Sequence, residues 1–258
     1  KYYVMSVAEM LEEGLFSPSG RPRFFIPTLS NPVEFGSSSL PIDPYLLGAL
    51  LGDGCLTSRS SVRINKDHEL IGFLSLPDGH KAVLHKGGDR ANGTVGTYGI
   101  VNDGRKNAVL DALRELGLFG KRAWEKFVPG IYLHANVSDR KKLLRGLLDT
   151  DGTVKRSGAV VFSTTSLDLA HNVRYLVESL GGLALISNIQ NPRYEYNGEP
   201  RFGREQWQLN IQLSGSWCPF VLSRKATKWH QRIRMPRRAI VAIEKTRESE
   251  CRCIGVEA

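Results

Sequence analysis

Residue types that mark several protein classes are scarce or unsuitably spaced in this sequence. No apolar run approaches the roughly 18 residues of a membrane-spanning helix, and the first residues do not form a secretory signal peptide. The six histidines show no metal-ligand spacing, and the cysteines fit neither a zinc site nor a disulfide framework. The cysteines are Cys55, Cys218, Cys251 and Cys253. These absences favour a protein of a reducing compartment, and we expect it to be cytoplasmic.

Acidic residues are the minority among the charged ones. Lys and Arg total 35 against 26 Asp and Glu, which gives a net charge of +9, and 41% of the 258 residues are hydrophobic. That hydrophobic fraction is enough for a packed core in one large domain or two. The positive excess suits a polyanionic partner, but it does not distinguish DNA from RNA or from an anionic membrane.

What the sequence does contain is one motif twice. LLGALLGDG, which begins at Leu46, aligns with LRGLLDTDG, which begins at Leu144. Each copy reads as an apolar helix that ends at an acidic residue followed by glycine. These acidic residues, Asp53 and Asp151, are 98 residues apart. Two equivalent helices in one chain indicate a repeated structural unit.

The flanking residues predict where the two helices begin and end. Asp43 is a candidate N-cap with Pro44 at the first helical position. The second helix is expected to start at Ser138 or Asp139. The glycine that follows each acidic residue is expected to end its helix in the left-handed conformation. These two glycines are Gly54 and Gly152.

A close pair of carboxylates predicts a metal site. Gly48 and Gly146, at equivalent mid-helix positions, would let the two backbones approach closely and bring Asp53 and Asp151 together. Neighbouring carboxylates repel each other unless a divalent cation neutralises them. Oxygen ligands suit Mg²⁺, which also binds substrate phosphates and can activate water. The alternative is two core helices with aspartate caps, but a core does not require the same glycine and aspartate positions twice.

Both copies resemble the nine-residue signature of the LAGLIDADG homing endonucleases. Two copies in one chain are the arrangement of that family's single-chain, pseudo-twofold members. The resemblance implies an α+β fold of two αββαββα halves, with short flanking β segments, that works as a monomer. It also implies Mg²⁺-dependent, site-specific cleavage of double-stranded DNA at a long asymmetric site, with one carboxylate serving each strand.

The resemblance further implies a catalytic lysine from each half. Lys126 lies 73 residues after Asp53, in EKFVP, which is similar to the Lys-x-Ile-Pro block of intein endonucleases. Lys225 lies 74 residues after Asp151, and this near-equal offset selects it over Lys228. An amine at either position could stabilise charge on the scissile phosphate or lower the pKa of the attacking water. The alternative is that each is a solvated surface lysine.

The order of helix and strand signals predicts four segments. Residues 1–40 form an N-terminal arm, residues 41–130 the first half, residues 131–238 the second half, and residues 239–258 C-terminal strands. The second half is expected to close with a helix from Trp217 to Gln231.

Both ends of the chain resemble parts of inteins. FIPTLSNPVEF is similar to the approach to the endonuclease of helicase-type inteins, and ECRCIGVEA to a strand near the carboxyl end of the splicing domain. We expect a strand and then a short helix capped by Ser6 within residues 1–16, and strands at residues 240–243 and 251–256. The sequence shows no nucleophilic Cys or Ser at position 1 and no terminal His-Asn pair. It is therefore expected to be an intein endonuclease with remnants of a splicing domain.

One strand carries the clearest signal for base recognition. Residues 206–213 alternate strictly, with Trp207 and aliphatic residues on one face and amides on the other. Amides read adenine edges in the major groove. The alternative is an ordinary solvated face. The amides are Gln206, Gln208, Asn210 and Gln212.

Other polar and basic residues supply further DNA-binding candidates. No acidic residue lies between Glu205 and Glu244, so a continuous positive band is expected there, suited to phosphate contacts. The candidates in this band are Lys228, Arg234, Arg237 and Arg238. Those of the second-half hairpin are Arg193, Arg201 and Arg204. Those of the first half are Arg59, Arg63, Asn65, Lys86 and Arg90.

A second class of function is compatible with the same resemblance. A DNA-binding regulator or an RNA maturase of this fold would bind nucleic acid without cutting it, and such proteins commonly lose one or both motif acids. Because Asp53 and Asp151 are both present, the sequence favours the nuclease.

Overall fold

The computed structural model describes residues 3–58, 61–66, 68–87, 96–104, 106–190, 192–196, 198–213, 217–230 and 236–247. The chain divides into two compact units, Lys1–Pro27 with Arg237–Ala258, and Thr28–Pro236. The helices are α1 (Val7–Glu13), α2 (Pro44–Asp53), α3 (His68–Phe73), α4 (Ala108–Glu115), α5 (Gly130–Leu133), α6 (Val137–Asp151), α7 (Leu167–Ser179) and α8 (Ser223–Ala226). The strands are β1 (Phe25–Pro27), β2 (Gly54–Cys55), β3 (Val62–Lys66), β4 (His80–Gly87), β5 (Gly96–Asn102), β6 (Gly152–Val154), β7 (Val160–Thr164), β8 (Leu183–Ile189), β9 (Arg193–Tyr196), β10 (Glu199–Phe202), β11 (Gln206–Gln212) and β12 (Arg237–Ala239).

The unit Thr28–Pro236 contains the same order of elements twice. The first half runs α2, β2, β3, α3, β4, β5, α4, and the second runs α6, β6, β7, α7, β8, β11, α8. Each half forms a four-stranded antiparallel sheet with equivalent strand order, β2-β3-β5-β4 in the first and β6-β7-β11-β8 in the second. The predicted α+β fold with two αββαββα halves is confirmed.

The two motif helices, α2 and α6, pack directly against each other at their glycines. A Cβ atom on Gly48 would lie 3.1 Å from the Cα of Gly146 and closer still to the carbonyl oxygen of Leu143. A Cβ on Gly146 would lie 3.0 Å from the Cα of Gly48 and collide with the carbonyl oxygen of Tyr45. The leucines around this crossing are fully buried, and they are Leu46, Leu47, Leu50, Leu143, Leu144, Leu147 and Leu148. Removing this apolar surface from water stabilises the helix pair.

The start of α2 is confirmed, and the start of α6 lies slightly earlier than expected. Asp43 caps α2, because its Oδ1 accepts from the backbone N–H of Tyr45 at 2.9 Å and of Leu46 at 3.1 Å. The N-cap of α6 is Asn136, whose Oδ1 accepts from Asp139 N at 3.0 Å. The predicted start at Ser138 or Asp139 is therefore wrong by one or two residues.

The prediction of left-handed helix ends at the motif glycines is wrong. Gly54 has φ −77° and ψ 138°, and Gly152 has φ −84° and ψ 146°, which are extended conformations open to any residue. Glycine is instead required for space, because a Cβ at Gly54 would lie 2.8 Å from the Cα of Leu50, and one at Gly152 equally close to that of Leu148. At each of these two glycines the chain therefore passes directly from a helix into a strand, and the backbone runs close against the last turn of that helix.

The predicted closing helix over residues 217–231 is also wrong, since α8 spans only Ser223–Ala226. Pro219 disfavours a helix interior. The backbone N–H groups of Val221 and Leu222 donate to the carboxylate of Asp149, at 3.0 and 3.3 Å, and not to a preceding helical turn. Tertiary contacts thus hold the residues before α8 in an irregular path.

A two-stranded antiparallel ribbon, β9 with β10, extends the hairpin between β8 and β11. All eight of its residues are exposed. Gly198, between these strands, has φ 78°, while residue 197 lies outside the described residues. The ribbon therefore stands outside the core of its half.

The residues before α2 include a segment that packs on the second half. Val33 N donates to Ser179 O at 2.9 Å, and the fully buried guanidinium of Arg140 donates to the carbonyl of Val33 and to Ser179 Oγ. The same guanidinium lies 4.8 Å from the ring centroid of Phe35. Residues 33–35 are thus fixed by hydrogen bonds and ring contacts within the unit Thr28–Pro236.

The other unit contains α1 and the antiparallel pair β1–β12. Ser6 caps α1 as predicted, with Glu9 completing a capping box. The expected strand before α1 is absent from residues 3–6, and the strand expected at residues 240–243 lies instead at Arg237–Ala239. The strand predicted at residues 251–256 lies outside the described residues.

Candidate functional site

The two motif aspartates occupy equivalent ends of α2 and α6. The carboxyl carbon of Asp151 would lie 3.5 Å from a Cβ atom on Gly52, the residue before Asp53. Both carboxylates act electrostatically on the same ammonium group, that of Lys126. The structure therefore brings Asp53, Asp151 and Lys126 to one place, and the approach of the two aspartates agrees with the packing expected from the paired motif.

Lys126 holds the end of α2. Its Nζ donates to the carbonyl oxygens of Leu50 at 3.1 Å, Gly52 at 3.0 Å and Gly54 at 2.8 Å, which lie in and just beyond the last turn of the helix. Its side chain is almost completely buried, with the residue 4% exposed. Burial lowers the pKa of Lys126 to about 8, although Asp151 and Asp53 oppose the shift. The alternative of a solvated surface lysine is excluded here.

Lys225 holds the end of α6 in the same way. Its Nζ donates to Leu148 O at 2.8 Å and Gly152 O at 2.6 Å, and it also lies within hydrogen-bond reach of the carbonyls of Asp149 and Thr150. The carbonyls of residues 148, 150 and 152 are the motif equivalents of 50, 52 and 54. Lys228, in contrast, is exposed. The near-equal sequence offset thus identified a structurally equivalent pair of lysines.

Asp149 is a site residue that the sequence interpretation did not select. It is completely buried, and its Oδ2 accepts from Tyr45 Oη of α2 at 3.0 Å and from Val221 N at 3.0 Å. Burial raises the pKa of Asp149, while these hydrogen bonds oppose the increase. The available signal was an acidic residue inside an apolar helix, at a position where the first motif has Leu51. Asp149 ties α6 to α2 and to the segment that carries Lys225.

Each lysine segment is also held by the opposite half. Ser166 Oγ, at the start of α7, donates to Lys126 O at 2.6 Å. Glu69, in the equivalent helix α3, accepts from Ser223 N at 2.5 Å, two residues before Lys225. The position of each lysine therefore depends on contacts from both halves.

The amide strand β11 lies between β7 and β8. Leu209 and Ile211 are buried and Asn210 is exposed, while Trp207, Gln206, Gln208 and Gln212 are partly buried. Gln208 pairs with Ser163 on one side and with Ser187 on the other, so its surroundings are polar. The predicted alternation of core and outward residues is therefore visible in the burial from Leu209 to Gln212, whereas Gln206, Trp207 and Gln208 are buried to a similar degree.

The first-half candidates lie partly on the equivalent sheet. Arg63 and Asn65 are exposed on β3, where they alternate with buried Val62 and Ile64. Lys86 is exposed on β4. Arg59 and Arg90 lie outside the described residues.

The second-half arginines contact aromatic rings on or beside the ribbon. The guanidinium carbon of Arg193 lies 5.3 Å from the ring centroid of Phe202, and that of Arg201 lies 5.0 Å from Tyr196. That of Arg204 lies 3.8 Å from Trp124. All three are exposed, and such contacts restrict the guanidinium planes.

The residues of the expected positive band are divided between the two units. The ammonium group of Lys225 is directed to the backbone of α6, and Arg224 pairs with Glu69 at 3.3 Å. Arg237 and Arg238 are exposed in the other unit, and Arg234 lies outside the described residues. Residues 206–243 contain no acidic residue, but Glu69 of the first half supplies a negative charge to Arg224.

The carboxylate oxygens at the ends of α2 and α6 suit a metal ion that needs few ligands from the protein. Among the described residues, no group of three or more His, Cys, Asp or Glu side chains is placed to hold a metal ion. Mg²⁺ is usually bound through one or two carboxylates, with waters and substrate phosphates completing its octahedron. Asp53 and Asp151 therefore fit a metal that is shared with a phosphate-containing ligand.

A family model identifies part of this arrangement. Residues 139–212 match the model described as LAGLIDADG-like domain, and the match extends from α6 to β11. The first half repeats the same topology. No described helix is long and apolar enough to cross a membrane.

The chain is also similar to segments of larger proteins. It is 36% identical over 140 residues to the replicative DNA helicase DnaB of Mycobacterium intracellulare, covering 54% of this chain and 19% of the helicase. It is 31% identical over 171 residues to the RecA protein of Mycobacterium bovis, covering 57% and 20%, and 29% identical over 209 residues to DnaB of Rhodothermus marinus, covering 76% and 21%. The chain thus spans about a fifth of the length of these relatives.

Solved structures of the homing endonuclease I-DmoI show a more distant likeness. One of its mesophilic variants and the complex with DNA and Ca both give a TM-score of 0.41 at 17% identity. Each match covers 67% of this chain. It covers 89% of the mesophilic variant and 83% of the chain in the complex with DNA and Ca.

Proposed function

We propose that this protein is a site-specific homing endonuclease that cuts both strands of double-stranded DNA. The observation that carries the proposal is the convergence of Asp53 and Asp151 at the ends of two helices in contact, beside the ammonium group of Lys126. The match of residues 139–212 to the LAGLIDADG-like domain supports it. A monomer would contain both carboxylates.

Asp53 and Asp151 would hold Mg²⁺ together with oxygens of the scissile phosphates. Bound there, the cation would supply Lewis-acid stabilisation and a water of lowered pKa. The chain's own contribution is to fix the two carboxylates by the crossing of α2 and α6. Each carboxylate would serve one strand.

Lys126 and Lys225 would keep the ends of these helices in position. Their ammonium groups bind equivalent backbone carbonyls, and the ammonium group of Lys126 interacts electrostatically with both carboxylates. A direct role of these lysines at the scissile phosphate stays a prediction.

Recognition of the target would come from the outward faces of the two sheets. Gln206, Gln208, Asn210 and Gln212 would read bases from the second half, and Arg63, Asn65 and Lys86 would act from the first. The exposed arginines of the ribbon would contact phosphates. Since the two faces carry different residues, the site would be asymmetric.

The relationship to helicase and RecA proteins supports an intein origin. About a fifth of each relative matches this chain, as expected for an element inserted into a host protein. In this proposal residues 1–40 and 239–258 derive from the splicing domain, and residues 41–130 and 131–238 are the two endonuclease halves. The host, and a cytoplasmic location, belong to the same proposal.

The test is cleavage of a plasmid library that carries intein-less junctions of candidate host genes, with Mg²⁺ present. Asp53→Asn and Asp151→Asn should each abolish double-strand cleavage while DNA binding in a gel shift is retained. Asp103→Asn, which removes an exposed carboxylate that pairs with Lys81, is the control and should cut normally. Full double-strand cutting by either motif variant would contradict the catalytic assignment.

The same experiment separates the nuclease from a regulator or maturase. Such a protein would bind DNA or RNA while the parent cuts no member of the library at any divalent cation concentration. The presence of both motif acids favours cleavage.

A further inference from the structure

Trp124 brings two arginines together from different parts of the chain. The guanidinium carbon of Arg204 lies 3.8 Å from its ring centroid, and that of Arg122 lies 5.4 Å away. Arg122 belongs to the first half, whereas Arg204 follows the ribbon of the second. Both arginines are exposed, and Trp124 itself is 37% exposed. Two cations therefore share one accessible aromatic ring.

Neighbouring carboxylates do not neutralise this cluster. Within the described parts of the chain, neither guanidinium forms an ion pair with Asp or Glu. Glu125 accepts a hydrogen bond from the backbone N–H of Arg122 at 3.0 Å, and Glu205 accepts from Asn188 Nδ2 at 2.6 Å. Two like charges that both lie within 5.4 Å of one ring centroid repel each other, and an anion bound to both would offset that cost.

Arg114 shows the contrasting arrangement in the same protein. Its guanidinium carbon lies 4.8 Å from the ring of Phe119, and its Nη1 pairs with Asp111 Oδ1 at 2.6 Å. The charge of Arg114 is thus balanced by a carboxylate of the protein itself, and it does not require a bound anion. The cluster at Trp124 differs by having two arginines and no paired acid.

We propose that Arg122 and Arg204, oriented by Trp124, form a binding site for one backbone phosphate of double-stranded DNA. This inference rests on the DNA binding proposed above and adds a contact at the segment that carries Lys126. A guanidinium stacked on a ring by its face keeps its N–H edges available, and those edges match phosphate oxygens in bidentate geometry. The site fixes the register of the duplex without reading its sequence.

The experiment measures fluorescence anisotropy of a labelled duplex in EDTA, over a series of KCl concentrations. Losing one phosphate contact should reduce the slope of log K against log salt by about 0.9. We expect this reduction in Arg122→Gln/Arg204→Gln and again in Trp124→Leu, which keeps both arginines. The triple variant should show no larger reduction, because all three residues serve one phosphate. Trp124→Tyr should restore most of the slope, and Arg114→Gln should leave it unchanged.

The possible outcomes separate this site from the general function. If the parent binds duplex DNA with a steep slope and the variants keep that slope, the site is overturned while DNA binding stands. If Trp124→Leu keeps the slope and only the arginine variant loses it, the orienting role of Trp124 is overturned. If the parent shows no salt-dependent affinity for DNA, both proposals fail. Circular dichroism of each variant identifies any loss of folding.

Discussion

Lys126 and Lys225 show how a single charged side chain can be structural and still lie beside the site. Each ammonium group satisfies carbonyls at the end of its helix, and the carbonyls are equivalent in the two halves. Burying an ammonium group costs free energy, which the hydrogen bonds and the nearby carboxylates offset. For Lys126 the balance leaves the pKa at about 8, well below the 10.5 of an unperturbed lysine.

This lowered pKa predicts a pH-dependent stability. Between pH 8 and 10.5 the folded protein holds fewer protons at Lys126 than the unfolded chain does. The parent should therefore gain stability relative to Lys126→Met as the pH rises through this window, by up to about 1.4 kcal/mol per pH unit. Urea unfolding of both proteins in metal-free buffer, near pH 7.5 and near pH 9.5, measures the difference.

Lys228→Met, at an exposed position, is the control for the loss of one positive charge. A difference between parent and Lys126→Met that stays constant, or falls, from the lower to the higher pH would mean that burial does not lower the pKa of Lys126.

At the scale of elements, the sequence predicted correctly the features that depend on adjacent residues, and it was wrong where contacts in the folded structure decide the conformation. Asp43 and Pro44 located the start of α2 because capping depends on adjacent residues. Gly54 and Gly152 were misassigned because their requirement is for space against their own helix, and a sequence pattern does not distinguish that from a left-handed conformation. The closing helix was predicted too long because buried Asp149 captures backbone N–H groups more than 70 residues away.

The crossing of α2 and α6 gives a prediction for a single methyl group. Gly48→Ala places a Cβ against backbone atoms of α6, 3.0 Å from Leu147 N, which cannot move without shifting the helix. Overpacking of this kind should destabilise the protein by about 1–3 kcal/mol. The gain in helix propensity over glycine, about 1 kcal/mol, does not compensate. The midpoint of urea unfolding measures the change.

Gly72→Ala is the matched control, since Gly72 lies in α3 with open space where its Cβ would be. There only helix propensity acts, and stability should stay equal or increase. If Gly48→Ala proved as stable as Gly72→Ala, the close contact of the two helices would be refuted.

At the scale of the whole molecule, the two halves share a framework but differ in what they present. When the two sheets are matched by their strand registers, the position of Gln208 in the second half corresponds to Thr97 in the first, and that of Asn210 corresponds to Gly99. Asn65 of the first half corresponds to Ser163 of the second. The topology of both halves was predictable because helix and strand periodicities repeat along the chain. The contacts between halves, such as Glu69 with Ser223, were not, because they join residues far apart in sequence.

Because the two sheets carry different side chains at equivalent positions, we predict that each half determines the base preference of its own part of the DNA target. Gln208 and Asn210 project from a strand that is fixed in the core by Leu209 and Ile211, so their amides are held rigidly enough to discriminate between bases. A bidentate amide–adenine pair is worth about 1–3 kcal/mol, so Gln208→Ala should weaken binding of the native target by roughly tenfold. A cleavage profile over all single-base variants of the target should show relaxed preference at one or two base pairs, all within one half-site. Asn65→Ala, the control from the opposite sheet, should relax positions in the other half-site only. If Gln208→Ala and Asn210→Ala both kept the parent's preference at every position, this face would be merely solvated and another strand would read the bases.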